Sequence, residues 1–366
     1  MNPGTLIPTT SPIQVDWSIF TVLLLLTFII HLWMMNIMLG TGIIALIRHF
    51  SQDNQSTDLT HTIASHLPFT IAFTINFGVA PLLFLQVLYG HLIYTSSILM
   101  AVYWLSVIGI LILAYYSAYI YDFKYHVLAE KRVFFIGAAV TGLLWIAFVF
   151  TNNMTLMLSP DKWTLYFDNP NGLLLNLTEK SVLPRYFHFV TASIALGGLA
   201  IAIYRQVQKD RCHSDLDNTN LDNDIQTGLG WFIGASLVQM IVGVWYFLSL
   251  PENVRQLFMG YNGFGTTLFL MAIPLIILML VSGVKKNVWM SAFLMIPVTI
   301  IMVLMRHLVR SAYLDPYFRV QDLPMDAQYS PFLVFILVLI IGICIIGYMI
   351  HLVKSSWKGM ELLKNS

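Results

Sequence analysis

The stretch WSIFTVLLLLTFIIHLWMMNIMLGTGIIAL, residues 17–46, contains no acidic or basic side chain apart from His31. A helix needs about 20 mostly apolar residues to cross a lipid bilayer. The stretch therefore predicts a membrane-spanning helix. The residues before it lack the basic region of a secretory signal, so we expect this segment to stay in the protein as a helix.

The rest of the chain has the same character. Of its 366 residues, 58% are hydrophobic and only 10% are charged, whereas soluble domains carry about 25% charged residues. These values predict an all-α integral membrane protein. The net charge of +1 gives no electrostatic reason to expect nucleic acid as a partner. Cys212 and Cys344 fall in a polar loop and an apolar run, so we expect neither a disulfide framework nor covalently attached haem.

Hydropathy divides the chain into nine predicted spans within a single transmembrane domain, residues 1–366. Only the residues TSS separate the second span from the third, which predicts a tight hairpin. The predicted limits are 17–46, 68–95, 98–121, 133–152, 186–204, 227–250, 264–284, 287–309 and 331–352.

Lysines and arginines collect on one side of the predicted topology. With the N-terminus outside, twelve of the nineteen basic residues fall in inner loops or in the C-terminal tail. Because inner loops of membrane proteins are enriched in these residues, the sequence predicts an outside N-terminus and an inside C-terminus.

Four of the ten histidines lie within predicted spans: His31, His91, His188 and His307. The last three fall toward the outer face, and His31 falls in mid-span. Ionisable side chains in a membrane are costly and usually functional, which suggests haem iron, another metal or a proton path. A neutral imidazole can bind haem iron without a counter-charge. Each histidine taken singly fits a packed, hydrogen-bonded residue equally well.

Three further residues fit a haem near the outer face. Arg306 and Arg310 flank His307 close to a helix end and could pair with anionic propionates, although snorkelling to the interface is an alternative. Arg310 is three residues from His307 and shares its helical face, whereas Arg306 lies about 100° around the helix. Met271 sits at the depth of His188, and a His/Met pair is a common axial set. The spans are nearly free of carboxylates, which argues against an ion-coupled transporter.

Several segments resemble subunit I of the cytochrome bd quinol oxidases, in the same order along the chain. FIIHLWMMNIMLGTGIIAL looks like the family's first helix, and INFGVAPLLFLQVLYG is similar to its second. LLWIAFVFTNNM resembles a Leu-Trp-Ile segment followed by asparagine. YFHFVTASIALGGLAIA and LFLMAIPL match the helices that carry the histidine and methionine of the low-spin haem. HLVRSAY aligns with the family's Glu-Tyr-Gly-Arg-Gln-Pro-Trp.

The resemblance implies a bd-like helix bundle with two or three b-type haems, a haem d at one position being an alternative. It implies that His188 and Met271 bind a low-spin haem b, and that His31 binds a second haem. His307 replaces a haem-binding glutamate, so it would bind a third. His91 has no counterpart and is either an extra ligand or a hydrogen-bond donor. His31 or His91 could complete a six-coordinate iron with His307.

Two departures from the family bear on activity. The quinol-oxidising loop is long in the family, but here only SLPENVRQLFMGYN connects spans six and seven. The two glutamates of the family's proton path fall on Ser97 and Leu105. Both quinol oxidation at this loop and oxygen reduction are therefore unexpected.

These features together favour a haem-b electron-transfer subunit of a bacterial cytoplasmic-membrane complex. It would pass electrons between the quinone pool and an outer-side partner such as a c-type cytochrome, beside a second membrane subunit. One alternative is a terminal oxidase with a rerouted proton path. The other is a non-haem transporter or assembly subunit with structural histidines.

Overall fold

Nine long helices make up most of the protein. The computed structural model describes residues 3–50, 56–168, 170–211 and 215–364. Within these residues, nine helices are long and apolar enough to cross a membrane. The prediction of an all-α, multi-pass membrane bundle is therefore confirmed. The helices are α1 Trp17–Arg48, α2 Ser56–Leu99, α3 Ala101–Phe123, α4 Arg132–Met157, α5 Val182–Lys209, α6 Asp215–Ser249, α7 Gly263–Val284, α8 Val288–Leu314 and α9 Tyr329–Lys364.

Helices α2, α6 and α9 extend well past their predicted limits, and α9 ends twelve residues beyond the predicted 352. The TSS segment expected to form the hairpin is part of α2, and the turn lies at Met100. The hydroxyl groups of Thr95 and Ser96 donate to the carbonyl groups of His91 and Ile93 within the same helix. Polar side chains that bond the preceding turn can remain helical, which is why these residues do not break α2. Helix α6 likewise begins twelve residues before the predicted 227.

Glycines bring three helices into close contact. A Cβ atom on Gly40 of α1 would lie 1.8 Å from the carbonyl oxygen of Ser193 on α5. A Cβ atom on Gly198 of α5 would lie 2.6 Å from the carbonyl oxygen of Gly228 on α6. Small residues allow such close backbone approach, which is the main source of packing energy between membrane helices. The α1–α5–α6 layer is thus a closely packed support for the histidines that it carries.

Helix α2 bends at Tyr89, ten residues before its C-terminal end. Tyr89 has a non-helical backbone (φ −131°, ψ 22°), and Pro81 lies two turns before it. A proline removes a backbone hydrogen bond and commonly kinks a helix. The bend places the buried Tyr89 ring beneath Arg310 of α8, with 5.0 Å between the guanidinium carbon and the ring centroid.

The alternation of the chain puts the start of α1 and the ends of α2, α4, α6 and α8 at one end of the bundle, called here the Trp17 end. The backbone joins two chain segments at this end, since the amide of Ile13 donates to the carbonyl of Pro324 over 2.8 Å. Helix α9 follows and is exposed along its apolar stretch. It carries Cys344 as an exposed free thiol, whereas Cys212 lies outside the described residues.

Candidate functional site

Three of the four histidines lie at one depth below the Trp17 end. His91, His188 and His307 are eight, six and seven residues from the nearest helix terminus at that end. With a rise of 1.5 Å per residue, these separations correspond to about 9–12 Å. His31 is fourteen residues inside α1, or about 21 Å from its start. The histidines thus occupy the relative depths that the hydropathy pattern predicts.

His31 is held against α2 by one hydrogen bond and one glycine. Its Nδ1 lies 3.1 Å from the carbonyl oxygen of Thr74. A Cβ atom on Gly78, one turn further along α2, would lie 2.9 Å from Cε1 of the ring. The bond to a carbonyl assigns the proton to Nδ1 and leaves Nε2 as the nitrogen that can bind a metal. Gly78 was not singled out in the sequence, although it lies in the INFGVAPL segment.

Helices α1 and α8 contact each other through Phe28 and Arg306, the residue before His307. The guanidinium carbon of Arg306 lies 4.5 Å from the centroid of the Phe28 ring, and that ring is 6.5 Å from the ring of His31. The Nδ1 atom of His307 is buried without a hydrogen-bond partner. The structure therefore places His31 of α1 and Arg306 of α8 on either side of Phe28, with His307 next to Arg306 in the chain.

The two arginines of α8 lie on one cavity. Arg306 and Arg310 line the same cavity, together with Val309, and His307 is not among the residues that line it. The reason is that positions four apart lie one above the other on a helix. This cavity groups Arg310 with Arg306, whereas the prediction that Arg310 and His307 project from neighbouring positions on one helical face stays a prediction. Arg310 is only 5% exposed, which also rules out snorkelling as the account of its position.

His188 is bonded to a residue that the sequence did not suggest. The side-chain amide of Gln239 on α6 donates to Nε2 of His188 over 2.9 Å, and the hydroxyl of Thr191 donates to the Gln239 carbonyl oxygen. The Nδ1 atom of His188 is buried without a partner. Gln239 would have to release Nε2 before that atom could bind iron. An amide in the middle of an apolar span is the one signal that could have identified it.

Met271, the predicted partner of His188, lies on α7 with half of its side chain exposed. The contacts described for the His188 side chain are with Gln239, Gly243 and Tyr246, all on α6. Thr191 of α5 supports Gln239 through a hydrogen bond. The His188–Met271 pair therefore stays a prediction from the resemblance and matched depth.

His91 faces a loop and not another histidine. Its ring lies 4.5 Å from the ring of Phe318 in an edge-on arrangement. Its Nε2 atom is buried without a hydrogen-bond partner. A buried imidazole nitrogen without a partner is uncommon. His91 therefore stays either an extra ligand or a hydrogen-bond donor.

A third arginine joins the site. Arg185, near the start of α5, lines the cavity with Arg306 and Arg310 and is 9% exposed. In the predicted topology Arg185 is one of the seven basic residues outside the inner loops and the C-terminal tail. Its position three residues before His188, on the same helical face, is a signal that could have identified it.

The positions of the family's proton-path glutamates hold different chemistry. The side-chain amide of Asn153 donates to the hydroxyl of Ser97 over 3.0 Å, and the neighbouring Ser96 hydroxyl donates to the Asn153 carbonyl oxygen. Leu105 is 65% exposed on the surface of α3. This network has no carboxylate that could carry a proton.

Among the described residues, no group of three or more His, Cys, Asp and Glu side chains converges on one point. A haem needs only two axial side chains, so the individual imidazoles are the relevant test. His31 fits this role through its oriented ring, and His307 through its unpartnered nitrogen. His188 fits it only after Gln239 moves.

Comparison of the chain with protein-family models and with curated proteins found no match. The resemblance to the bd oxidases therefore depends on the motifs in the sequence alone.

Proposed function

We propose that the protein is a haem-b electron-transfer subunit of a membrane respiratory complex, with one haem held between α1 and α8. The observation that carries this proposal is the chain of contacts from His31 through Phe28 to Arg306, the residue next to His307, inside a nearly carboxylate-free bundle. An apolar site with two imidazoles and adjacent guanidinium groups suits an iron porphyrin, whose ring is apolar and whose propionates are anionic.

His31 and His307 would bind the haem iron, and each would supply a neutral imidazole. A bound b-type haem supplies one-electron chemistry. His31, oriented by the carbonyl of Thr74, presents Nε2, and His307 presents an imidazole that carries no net charge. Neutral ligands suit a low-dielectric site, because a change of iron charge then needs no proton to follow it. The ring of Phe28 packs against His31 on one side and under the guanidinium group of Arg306, the neighbour of His307 in the chain, on the other.

Electron transfer is favoured over oxygen reduction by the surroundings of Ser97. Reduction of oxygen to water consumes protons, which intramembrane carboxylates usually deliver. Here Ser97 is bonded to an asparagine and Leu105 faces outward. If His31 or His91 joined His307 on one iron, as the resemblance allows, no position would remain open for oxygen. The terminal-oxidase alternative requires a proton path elsewhere in the chain.

The remaining parts of the proposal follow from the resemblance and the charge distribution. We place the N-terminus outside and the C-terminus inside a bacterial cytoplasmic membrane, with a second membrane subunit beside this chain. The electron partners are the quinone pool and an outer-side carrier such as a c-type cytochrome. The Trp17 end is then the outer end, which puts the arginine-lined cavity on the side of that carrier.

The test is the spectrum of the His307→Ala variant beside that of His351→Ala, in which an exposed histidine of α9 is removed. We expect His307→Ala to lose one haem or convert it from low spin to high spin, and His351→Ala to match the wild type. An unchanged haem number and spin state in His307→Ala would contradict the assignment.

Two further measurements separate the alternatives. Oxygen uptake by the complex with reduced quinol or reduced cytochrome c would favour the terminal oxidase. Complete absence of haem from the purified protein would favour a transporter or assembly subunit.

A further inference from the structure

The cavity at the Trp17 end brings three positive charges together. Arg185 comes from α5, while Arg306 and Arg310 come from α8. Arg185 and Arg310 are more than nine-tenths buried. The other lining residues are apolar: Met154, Met157, Leu158 and Val309.

The surroundings do not neutralise this charge. Arg185 donates from Nη2 to the phenol oxygen of Tyr246 over 3.0 Å, which is a neutral partner. No ion pair in the described part of the chain involves any of the three guanidinium groups. Glu179, an acidic residue just before α5, is engaged by Lys162 at 3.2 Å and by the hydroxyl of Ser181.

Several donor atoms at the cavity lack acceptors. The Nε atom of Arg185 and the Nη1 atom of Arg310 are buried without a hydrogen-bond partner. The phenol oxygen of Tyr89, whose ring lies under Arg310, is in the same condition. Buried donors of this kind almost always have a partner, and like charges at close range repel unless an anion lies between them.

We propose that Arg185, Arg306 and Arg310 form a binding site for one oxyanion, a carboxylate or phosphate, carried on a larger apolar molecule. The cavity volume is about 10 Å³, which is the space of about one water-sized oxygen. One oxygen of the anionic group would fill this space, and the remaining atoms of the ligand would lie outside it, next to the apolar side chains that line the cavity. Guanidinium groups bind both carboxylate and phosphate oxygens through paired hydrogen bonds.

Two molecules carry such a group in a membrane: a haem through its propionate, and a phospholipid through its phosphate. The haem source depends on the proposed function, whereas the oxyanion site itself does not. If haem is the source, the site adds Arg185 to the contacts expected from Arg306 and Arg310.

The experiment compares the Arg185→Gln and Arg310→Gln variants with Arg319→Gln in the purified full-length protein. Arg319 is the matched control, because it lies just after α8, is exposed and pairs with Asp315 at 2.7 Å. Two quantities are measured for each protein: the midpoint potential of each bound haem, and the phospholipid phosphorus that remains bound per chain after detergent washing.

A propionate in the site predicts a lower midpoint potential in Arg185→Gln and Arg310→Gln, because a positive charge near the haem favours the reduced form. A tenfold change in the ratio of reduced to oxidised haem corresponds to a shift of about 59 mV for one electron. A phospholipid in the site predicts unchanged potentials and about a tenfold loss of bound phosphorus. The control should match the wild type in both cases.

The proposal is overturned if both quantities in the two variants equal those of Arg319→Gln. If a glutamine variant does not fold, Arg185→Met and Arg310→Met remove the charge while keeping an unbranched apolar stem, and equality with the control again overturns the proposal. A protein without haem that still loses phospholipid in the variants would refute the proposed function and support the oxyanion site.

Discussion

Replacing Gly78 by alanine adds one methyl group where the ring of His31 packs against α2, and so tests whether that contact orients His31. The new Cβ atom would lie 2.9 Å from Cε1 and 3.1 Å from Nδ1 of His31. Carbon contacts of this kind are ordinarily no closer than 3.4 Å, so the ring must retreat from α2 by about 0.5 Å. Such a shift reaches the tolerance of about 0.5 Å within which a binding group must be held.

The shift also breaks the contact that orients the ring. Thr74 and Gly78 lie on the same helix, so a ring that moves away from one moves away from the other. The Nδ1–Thr74 oxygen distance of 3.1 Å then grows to about 3.6 Å, which is beyond hydrogen-bond range. Loss of an orienting bond behind a metal-binding histidine typically weakens binding 10- to 100-fold, or about 1.4–2.7 kcal/mol.

The assay measures how fast haem leaves the purified protein for an added haem-binding acceptor, with Gly109→Ala as the control. Gly109 lies in α3, and a Cβ atom there would meet nothing within 4 Å. Alanine is the better helix former by about 0.5–1 kcal/mol, so neither variant should lose helix stability on that account. Haem retention in Gly78→Ala equal to that in Gly109→Ala would refute this reasoning about His31.

Three further outcomes are expected. His188→Ala should remove one low-spin b-type band from the reduced spectrum, and retention of every haem band would sink its assignment as a ligand. Gly40→Ala should lower the free energy of unfolding by about 1–3 kcal/mol through overpacking, because the added Cβ would lie 1.8 Å from the carbonyl oxygen of Ser193. Gly230→Ala is the control, because a Cβ atom there would meet nothing within 4 Å, and its free energy of unfolding should not fall. Inhibitors aimed at the family's quinol loop should bind poorly, because residues 249–263 are few and bury Val254 and Phe258 against the bundle; potent inhibition mapped there would show the reverse.

The spans were predictable because a membrane helix is specified by the length of an apolar run. The boundaries of α2 and α6 were not, since Thr95, Ser96 and the acidic start of α6 are helical only when their polar groups bond within the helix or to neighbouring basic residues. Lys209, for example, pairs with Asp222 at 2.6 Å. A hydropathy profile assigns such polar residues to a loop, because it takes no account of the hydrogen bonds and ion pairs that they form.

The candidate site divides in the same way. The depths of the histidines follow from their positions within the spans, and the resemblance pointed to His31, His188 and His307. The partners of Gly78, Gln239 and Arg185 lie on other helices, and although the mid-span amide of Gln239 and the spacing of Arg185 from His188 mark these residues, no pattern along one helix shows what they contact. Gln239, for example, is fifty-one residues from the histidine to which it donates.

The haem content of the purified full-length protein tests the central claim most directly. A pyridine haemochrome spectrum combined with the protein concentration gives both the chemical type and the number of haems per chain. The account predicts protohaem, two or three per chain, with at least one in the low-spin state. A protein that contains no haem when it is expressed with an ample haem supply would contradict it.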